Sequence, residues 1–475
     1  MQNVEPIWRH VENHQDDLTG LSDRVWGMPE ILYGEYRSCA EHTATLREKG
    51  FTVTEEIAGI PTAVLGEAGE GGPVIAFLGE YDALPGLSQE ANIAEPRPIE
   101  AGGNGHGCGH NLLGSAALLA ACAMKDWLAE TGTPGRVRYY GCPAEEGGAA
   151  KAFMVRDGAF DDVDVAITWH PAAMTKVDEA ESLANTRMDF EFIGRSSHAA
   201  AAPHLGRSAL DAAELMNVGV QYLREHIPQE SRIHYAYLDA GGTAPNVVQG
   251  KAKTRYAIRS TTLSGMFALN DRVQDIARGA ALMTGTEVRI SVMSAVSNML
   301  GNTPLEEAMQ KAMDALGGVA FDAADREYAA AIQATLTTED ITSNYRAVGL
   351  APRQDEPLCD YVVPLENRGT KMLGSTDVAD VSWAVPTVQA RVATHAIGTP
   401  GHSWQITAQG KAPAAHKGMI YAAKVMAATG RMLFTDETLL ARAKKDHRER
   451  LAIEPYTCPI PKDVSPPLKP RPAAE

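Results

Sequence analysis

The spacing of apolar residues changes period several times along the chain. Residues 41–49 carry helical spacing and stop at Gly50, whereas 51–57 and 61–65 alternate as strands do. Residues 74–78 form a short continuous apolar run that ends in Gly-Glu-Tyr-Asp. Residues 112–131 are apolar, rich in alanine and too long for a strand, so they predict a helix. Residues 135–140 and 163–168 read as strands again. Strands alternating with helices predict a layered α/β sheet.

From about 185 to 297 the order differs. Strand spacing over 186–193 is followed by a helix over 207–226, strands over 233–238 and 247–258, a helix over 269–284 and a strand over 287–292. This is the split βαβ order of a ferredoxin-like α+β unit. It spans roughly 110 residues, an ordinary domain size. The pattern returns to α/β after Thr303, so the small unit is expected as an insertion. The expected division is a catalytic domain over 1–185 and 299–454, an inserted domain over 186–298, and a tail over 455–475. The tail holds seven prolines between Pro455 and Pro472 and is read as extended, docked or disordered.

At 475 residues the chain is too long for one core. Hydrophobic residues make up 44% and charged residues 22%, as in globular proteins. A net charge of −17 argues against nucleic acid or an anionic membrane as partner, since both are negative. No apolar run approaches the ~20 residues of a membrane span, and the polar first 17 residues lack the apolar core of a secretory signal. A cytoplasmic protein is expected. The six cysteines (Cys39, Cys108, Cys122, Cys142, Cys359 and Cys458) are scattered and do not read as a disulfide framework.

Four short stretches carry metal-type chemistry. Gly105-His106-Gly107-Cys108-Gly109-His110-Asn111 precedes the long apolar helix, where a Cys and a His one residue apart can reach the same ion. The same stretch also reads as a Gly-rich turn with incidental His and Cys. Cys142-Pro143-Ala144-Glu145-Glu146 follows a strand, and two adjacent carboxylates can divide coordination from proton transfer. Alone, the pair reads first as a solvated acidic loop, since adjacent glutamates are common. His170 closes the strand over 163–168, and His402 lies in Gly398-Thr399-Pro400-Gly401-His402. A single His is usually a satisfied structural residue. Together, three clusters at apparent strand ends point to a metal centre.

These stretches resemble the zinc-type amidohydrolases and exopeptidases that include carboxypeptidase G, bacterial aminoacylases and the indole-acetyl-amino-acid hydrolases. The resemblance covers nearly the whole chain. Trp26-Gly27-Met28-Pro29-Glu30 and Glu35-Tyr36 match an early motif with Met28 in place of His. Gly79-Glu80-Tyr81-Asp82-Ala83-Leu84-Pro85 matches with Glu80 in place of Asp, and Cys108-Gly109-His110-Asn111 with Asn111 in place of Asp. Pro143-Ala144-Glu145-Glu146 matches unchanged. Ser197-His198-Ala199-Ala200, Gly241-Gly242, Asn246 and Arg259 match a lid domain. Ser375-Thr376-Asp377-Val378-Ala379-Asp380 departs from the family pattern and leaves the orienting acid between Asp377 and Asp380.

The resemblance implies an α/β catalytic domain with a central mixed sheet and an inserted ferredoxin-like lid and dimerisation domain. It implies one or two divalent ions, Mn²⁺ or Zn²⁺, on Cys108, His110, Glu146, His170 and His402, with Asp82 orienting an imidazole ligand. Glu145 is implied as the general base and His198 as a donor to the oxyanion, supplied by a partner subunit in many relatives. Asn246 and Arg259 are implied at the substrate carboxylate. The substrate is expected to be an N-acyl amino acid, an aryl-acyl glutamate foremost. A homodimer, or pairing with a related second subunit, is expected. An aminoacylase, a dipeptidase, an indole-acetyl-amino-acid hydrolase and a non-catalytic metal-binding relative are the alternative readings.

Overall fold

The computed structural model describes residues 4–353, 355–369 and 374–471. In chain order the strands are β1 (Thr52–Glu55), β2 (Val64–Glu70), β3 (Val74–Glu80), β4 (Gly135–Cys142), β5 (Val165–Ala172), β6 (Lys176–Val177), β7 (Ala184–Ile193), β8 (Arg232–Asp239), β9 (Lys251–Ser260), β10 (Glu287–Val296) and β11 (Thr387–Ala393). Two sheets result, a seven-stranded one ordered β1-β2-β4-β3-β5-β11-β6 and a four-stranded one ordered β10-β7-β9-β8.

In the large sheet β4, β3, β5 and β11 run parallel, and β2 and β6 pair antiparallel at their flanks. β3 is buried along its whole length, as expected of a parallel strand covered on both faces. One cover is the helix His110–Thr131. It is long and apolar enough to cross a membrane, yet it lies in the core between the sheet and the helices Val4–Trp26 and Pro413–Thr435. The helix Val4–Trp26 buries Ile7, Val11, Leu18, Leu21 and Val25 as one stripe. Phe153, Met154, Val378, Val381 and Ile460 pack in a second cluster with Ala76, Leu78 and Ala166 of the sheet.

The small sheet is antiparallel throughout. Met188, Phe190 and Phe192 of β7 and Tyr256 and Ile258 of β9 pack with Met216, Val220 and Val273 of the helices Ala209–Leu223 and Leu263–Thr284. Side chains alternate along a strand, so Asn185, Arg187 and Arg259 fall on the opposite face. The register Asn185↔Arg259 makes two of them direct neighbours.

The strand and helix order expected between 185 and 297 is the observed one, with shifted ends. The second helix begins at Leu263 because Thr262 caps it, its hydroxyl accepting from Gly265 N at 3.1 Å. After Thr303 the chain rejoins the large α/β layer through β11. Helices Thr303–Leu316, Ala323–Gln333 and Thr338–Ala347 come first, and β11 is the only named strand there among the described residues. Capping boxes at Asp322/Asp325 and Thr337/Asp340 start the second and third of these helices.

Through Arg471 the tail is extended and docked. Arg156 donates to Val464 O at 2.6 Å, Tyr36 OH to Lys469 O at 2.7 Å, and Lys469 Nζ to Ile31 O at 2.7 Å. Residues 472–475 lie outside the described residues.

Candidate metal centre

Parallel strands in an open sheet carry their carboxyl ends along one edge, where such sheets place their sites. β3 delivers Glu80 and, just beyond it, Asp82. β4 runs into Pro143-Ala144-Glu145-Glu146, and β5 carries His170 near its end. Cys108 and His110 come from the loop that enters the helix His110–Thr131, whose N-cap Gly109 has φ 77°. That left-handed backbone favours glycine. Two hydrogen bonds fix the remaining pieces. His402 N, on a residue with φ 56°, donates to Gly107 O at 3.1 Å, and Ala144 N, with φ 54°, donates to Glu35 Oε1 at 3.2 Å.

Three groups of potential ligand atoms lie within 4.8 Å of one another: Cys108/His110/His170, Cys108/Glu146/His402 and Glu80/His110/Glu145. Cys108 belongs to two of the three groups, as does His110. Cys108 Sγ is 3.3 Å from His170 Nε2, and Glu146 Oε2 is 3.4 Å from His402 Nε2. Asp82 links two elements: Oδ1 lies 2.8 Å from His110 Nδ1, and Oδ2 accepts from Glu146 N at 2.9 Å. His170 Nδ1 is 2.7 Å from Pro171 O, which leaves Nε2 for the centre.

The residues fit a divalent ion. Thiolate, imidazole and carboxylate are its usual donors. Two buried donor atoms lack a hydrogen-bond partner, His110 Nε2 and Glu146 Oε1. His110 Nε2 does approach Glu80 Oε2 at 3.3 Å, but without hydrogen-bond geometry. Polar atoms this buried are ordinarily satisfied, and a cation would satisfy both.

Electrostatics agree. Burial would raise the Cys108 thiol, but the neighbouring His170 and His110 outweigh it and bring it down to about 6. Burial would also raise Glu146, and contact with His402 and His110 draws it down to about 2. His402 is raised to about 10 by Cys108 and Glu146. Glu145 behaves oppositely. Burial, then Glu80 and Glu146, push its carboxyl well above the usual range, so Glu145 has the higher proton affinity of the adjacent pair.

A cavity of about 440 Å³ opens on this centre. Cys108, Glu145, Glu146, His170 and His402 line it together with Asn185, Arg187, Arg259, Ser375 and Thr376. Arg259 Nη1 is 3.5 Å from Ser375 Oγ, and Arg187 Nη1 donates to Gly147 O at 3.2 Å. Burial and mutual repulsion lower the pKa of Arg259, and burial and the nearby Arg255 that of Arg187.

His198 and Asn246 are not brought to this cavity. Both lie on exposed segments, where Ala199 N donates to Asn246 O at 3.0 Å and His198 Nδ1 accepts from Ala200 N and Ala201 N. The two acids left open by the sequence have separate partners. Asp377 accepts from the buried Lys151 Nζ at 2.6 Å, and Lys151 also pairs with Glu80 at 2.6 Å. Asp380 accepts from Ser297 and from Tyr456 OH.

Arg187, Glu80 and Lys151 line or brace the site although sequence reasoning does not place them there. Arg187 was legible in principle, because it shares strand parity with Asn185 on β7. Lys151 was not, since nothing local distinguishes it from a surface lysine.

The profile of peptidase family M20/M25/M40 matches residues 76–456. The chain is 46% identical over 471 residues to one subunit of the p-aminobenzoyl-glutamate hydrolase of Escherichia coli (strain K12), covering 97% of this chain and 98% of that protein. It is 31% identical over 302 residues to another subunit of that hydrolase from the same organism, covering 61% and 66%. Its fold resembles a dinuclear metal-binding peptidase of the M20 family from Bacillus subtilis, at TM-score 0.54 and 16% identity, covering 87% and 99%. On these matches and the donor cluster at the sheet edge, the chain belongs to peptidase family M20/M25/M40 and is a metal-dependent hydrolase of amide bonds.

Proposed function

We propose that this hydrolase cleaves an N-acyl amino acid whose leaving residue is acidic, with an aryl-acyl glutamate such as p-aminobenzoyl-glutamate as the representative substrate. The observation that carries the reading is the convergence of a cluster of ligand atoms with Arg187 and Arg259 on one cavity. An amide spanning that cavity has its carbonyl at the cluster and its carboxylate at the arginines. The near full-length similarity to a component of p-aminobenzoyl-glutamate hydrolase supports the choice of substrate.

Cys108, His110, Glu146, His170 and His402 would hold one or two ions. Zinc suits the thiolate and imidazoles, and manganese suits the carboxylates. A bound divalent ion supplies Lewis acidity and a more acidic water. Glu145 takes the proton of the attacking water and returns it to the leaving nitrogen, a double duty that suits a carboxyl of raised proton affinity. Asp82 fixes the His110 ring and, through Glu146 N, the turn that carries both glutamates. The arginines bind carboxylate through paired donors.

The proposed division places the lid at 186–298 between catalytic segments 1–185 and 299–454, with the tail at 455–475. His198 and Asn246, exposed on this chain, would serve the site of a partner. That partner is a second copy or a related chain, in keeping with the similarity to two different subunits of one hydrolase. The free cysteines suit a reducing, cytoplasmic setting.

The test compares an aryl-acyl glutamate with its diamide. Wild type should prefer the free acid, and Arg259→Ala should lose about ten- to a hundredfold in kcat/KM for it, the worth of a charge-assisted hydrogen bond. Equal hydrolysis of acid and diamide by wild type refutes the reading.

A further inference from the structure

Residues 144–149 form the turn that carries Glu145 and Glu146. Gly148 N and Ala149 N both donate to Ala144 O, at 2.8 and 2.9 Å. Ala144 and Ala149, at the two ends, have φ 54° and 57°. Residues other than glycine keep that left-handed backbone only where neighbouring structure imposes it. The neighbour is the segment 31–36, in which Leu32 and Tyr33 are themselves left-handed, with φ 49° and 62°. We infer that this segment is a clamp on the glutamate turn, with Tyr33 and Glu35 as positioning residues, and that the docked C-terminal tail locks the clamp from outside. The inference rests on the amidohydrolase reading above and gives the tail a part in it.

The clamp grips the turn at two points. Tyr33 OH donates to Gly148 O at 2.7 Å, and Ala144 N donates to Glu35 Oε1 at 3.2 Å. Tyr33 N donates to the same Glu35 oxygen at 3.0 Å, and Thr62 Oγ1 to the other at 3.3 Å. One carboxyl thus ties the backbone of the clamp to that of the turn. Tyr33 and Glu35 are buried, so water does not replace these bonds when they are lost. A side chain at Gly148 would collide with the Tyr33 ring and with Ala144 Cβ, so clamp and turn are in close contact. Neither Tyr33 nor Glu35 lines the cavity at the metal centre, and both therefore act through the turn.

The tail holds the outer side. Lys469 Nζ donates to Ile31 O and Tyr36 OH donates to Lys469 O, both at 2.7 Å, so the two ends of the clamp close on one tail residue. The Lys469 stem crosses Gly34, where a Cβ would touch it. The Arg471 guanidinium lies 5.6 Å from the centre of the Tyr36 ring. Nearer the body of the protein, Ile460 packs in the same apolar cluster as Tyr33, Ala144 and Ala149. The path from the tail to the two glutamates is therefore continuous: Lys469 to Ile31 and Tyr36, Tyr33 and Glu35 to Gly148 and Ala144.

Two readouts are taken on full-length wild type and variants: Zn²⁺ affinity by competition with a chelator, and kcat and KM for p-aminobenzoyl-glutamate at saturating Zn²⁺. Tyr33→Phe keeps the ring and loses the bond to Gly148. It should bind Zn²⁺ about tenfold more weakly, because the turn carries Glu146. It should lose about 10- to 100-fold in kcat through misplacement of Glu145, with KM within about threefold, because the substrate contacts lie on other elements. Glu35→Ala should behave like Tyr33→Phe. Glu35→Gln keeps an acceptor for Ala144 N and should stay within about threefold of wild type in every readout. Tyr36→Phe combined with Lys469→Met, at two positions that are not buried, should lower kcat about three- to tenfold and weaken Zn²⁺ in step. Wild-type affinity and kcat in Tyr33→Phe that is folded by circular dichroism, or Glu35→Gln as impaired as Glu35→Ala, overturns the clamp. Wild-type values in the tail variant overturn the part given to the tail. If wild type binds Zn²⁺ but does not cleave the substrate, the amidohydrolase reading falls, and the Zn²⁺ affinities alone decide the clamp.

Discussion

Asp82 Oδ1 lies 2.8 Å from His110 Nδ1, and both side chains are completely buried. That contact fixes which imidazole nitrogen faces the metal centre, because the ring cannot turn without breaking it. Asp82→Asn keeps an acceptor of the same shape but removes the charge that makes the ring a strong donor. Metal affinity should fall about 10–100-fold, the usual effect of losing such a partner. Competition with a metallochromic chelator measures it. Unchanged affinity would mean that the ring is held by packing alone.

Glu145 and Glu146 are adjacent in sequence and opposite in character. Glu145→Gln cannot take a proton and should lose about 10²–10⁴-fold in kcat while retaining its metal. Glu146→Gln should lose metal, because Glu146 is drawn to about 2 by the surroundings it shares with His402. Elemental analysis of the two purified variants separates the roles. An equal loss of metal in both would contradict the division.

Asp380 sets a pH dependence of stability. Burial pushes its carboxyl up to about 7, above the pull of its donors Ser297 and Tyr456. The native state then holds a proton that the unfolded chain releases at ~3.9. This contribution is fully present below that value, is lost as pH rises toward 7, and changes little above. The loss is roughly 4 kcal/mol at most. Asp380→Asn lacks the titrating proton. Its stability relative to wild type should therefore increase between pH 4 and 7 and level off beyond. A difference curve from urea denaturation that is flat across this window would show that Asp380 is ionised throughout.

Much of the site was legible because its ligands cluster in short stretches. Cys108 and His110 flank a glycine that the loop requires at φ 77°, and the two glutamates sit where β4 ends. In the structure, strand parity on β7 and β9 separates the helix-facing Phe190 and Tyr256 from the cavity-lining Asn185 and Arg259. What escaped depends on distant pairing. Lys151 becomes a site residue only because Glu80 and Asp377 converge on it from segments far apart in sequence.

The central claim is that hydrolysis depends on the ion held by Cys108, His110, Glu146, His170 and His402. The most direct measurement is turnover of an aryl-acyl glutamate as a function of metal content, on protein stripped by chelation and reloaded in steps with Zn²⁺ or Mn²⁺. Turnover should vanish in the stripped protein and rise with the ion bound. Full turnover by protein that elemental analysis shows to be free of metal would contradict the account.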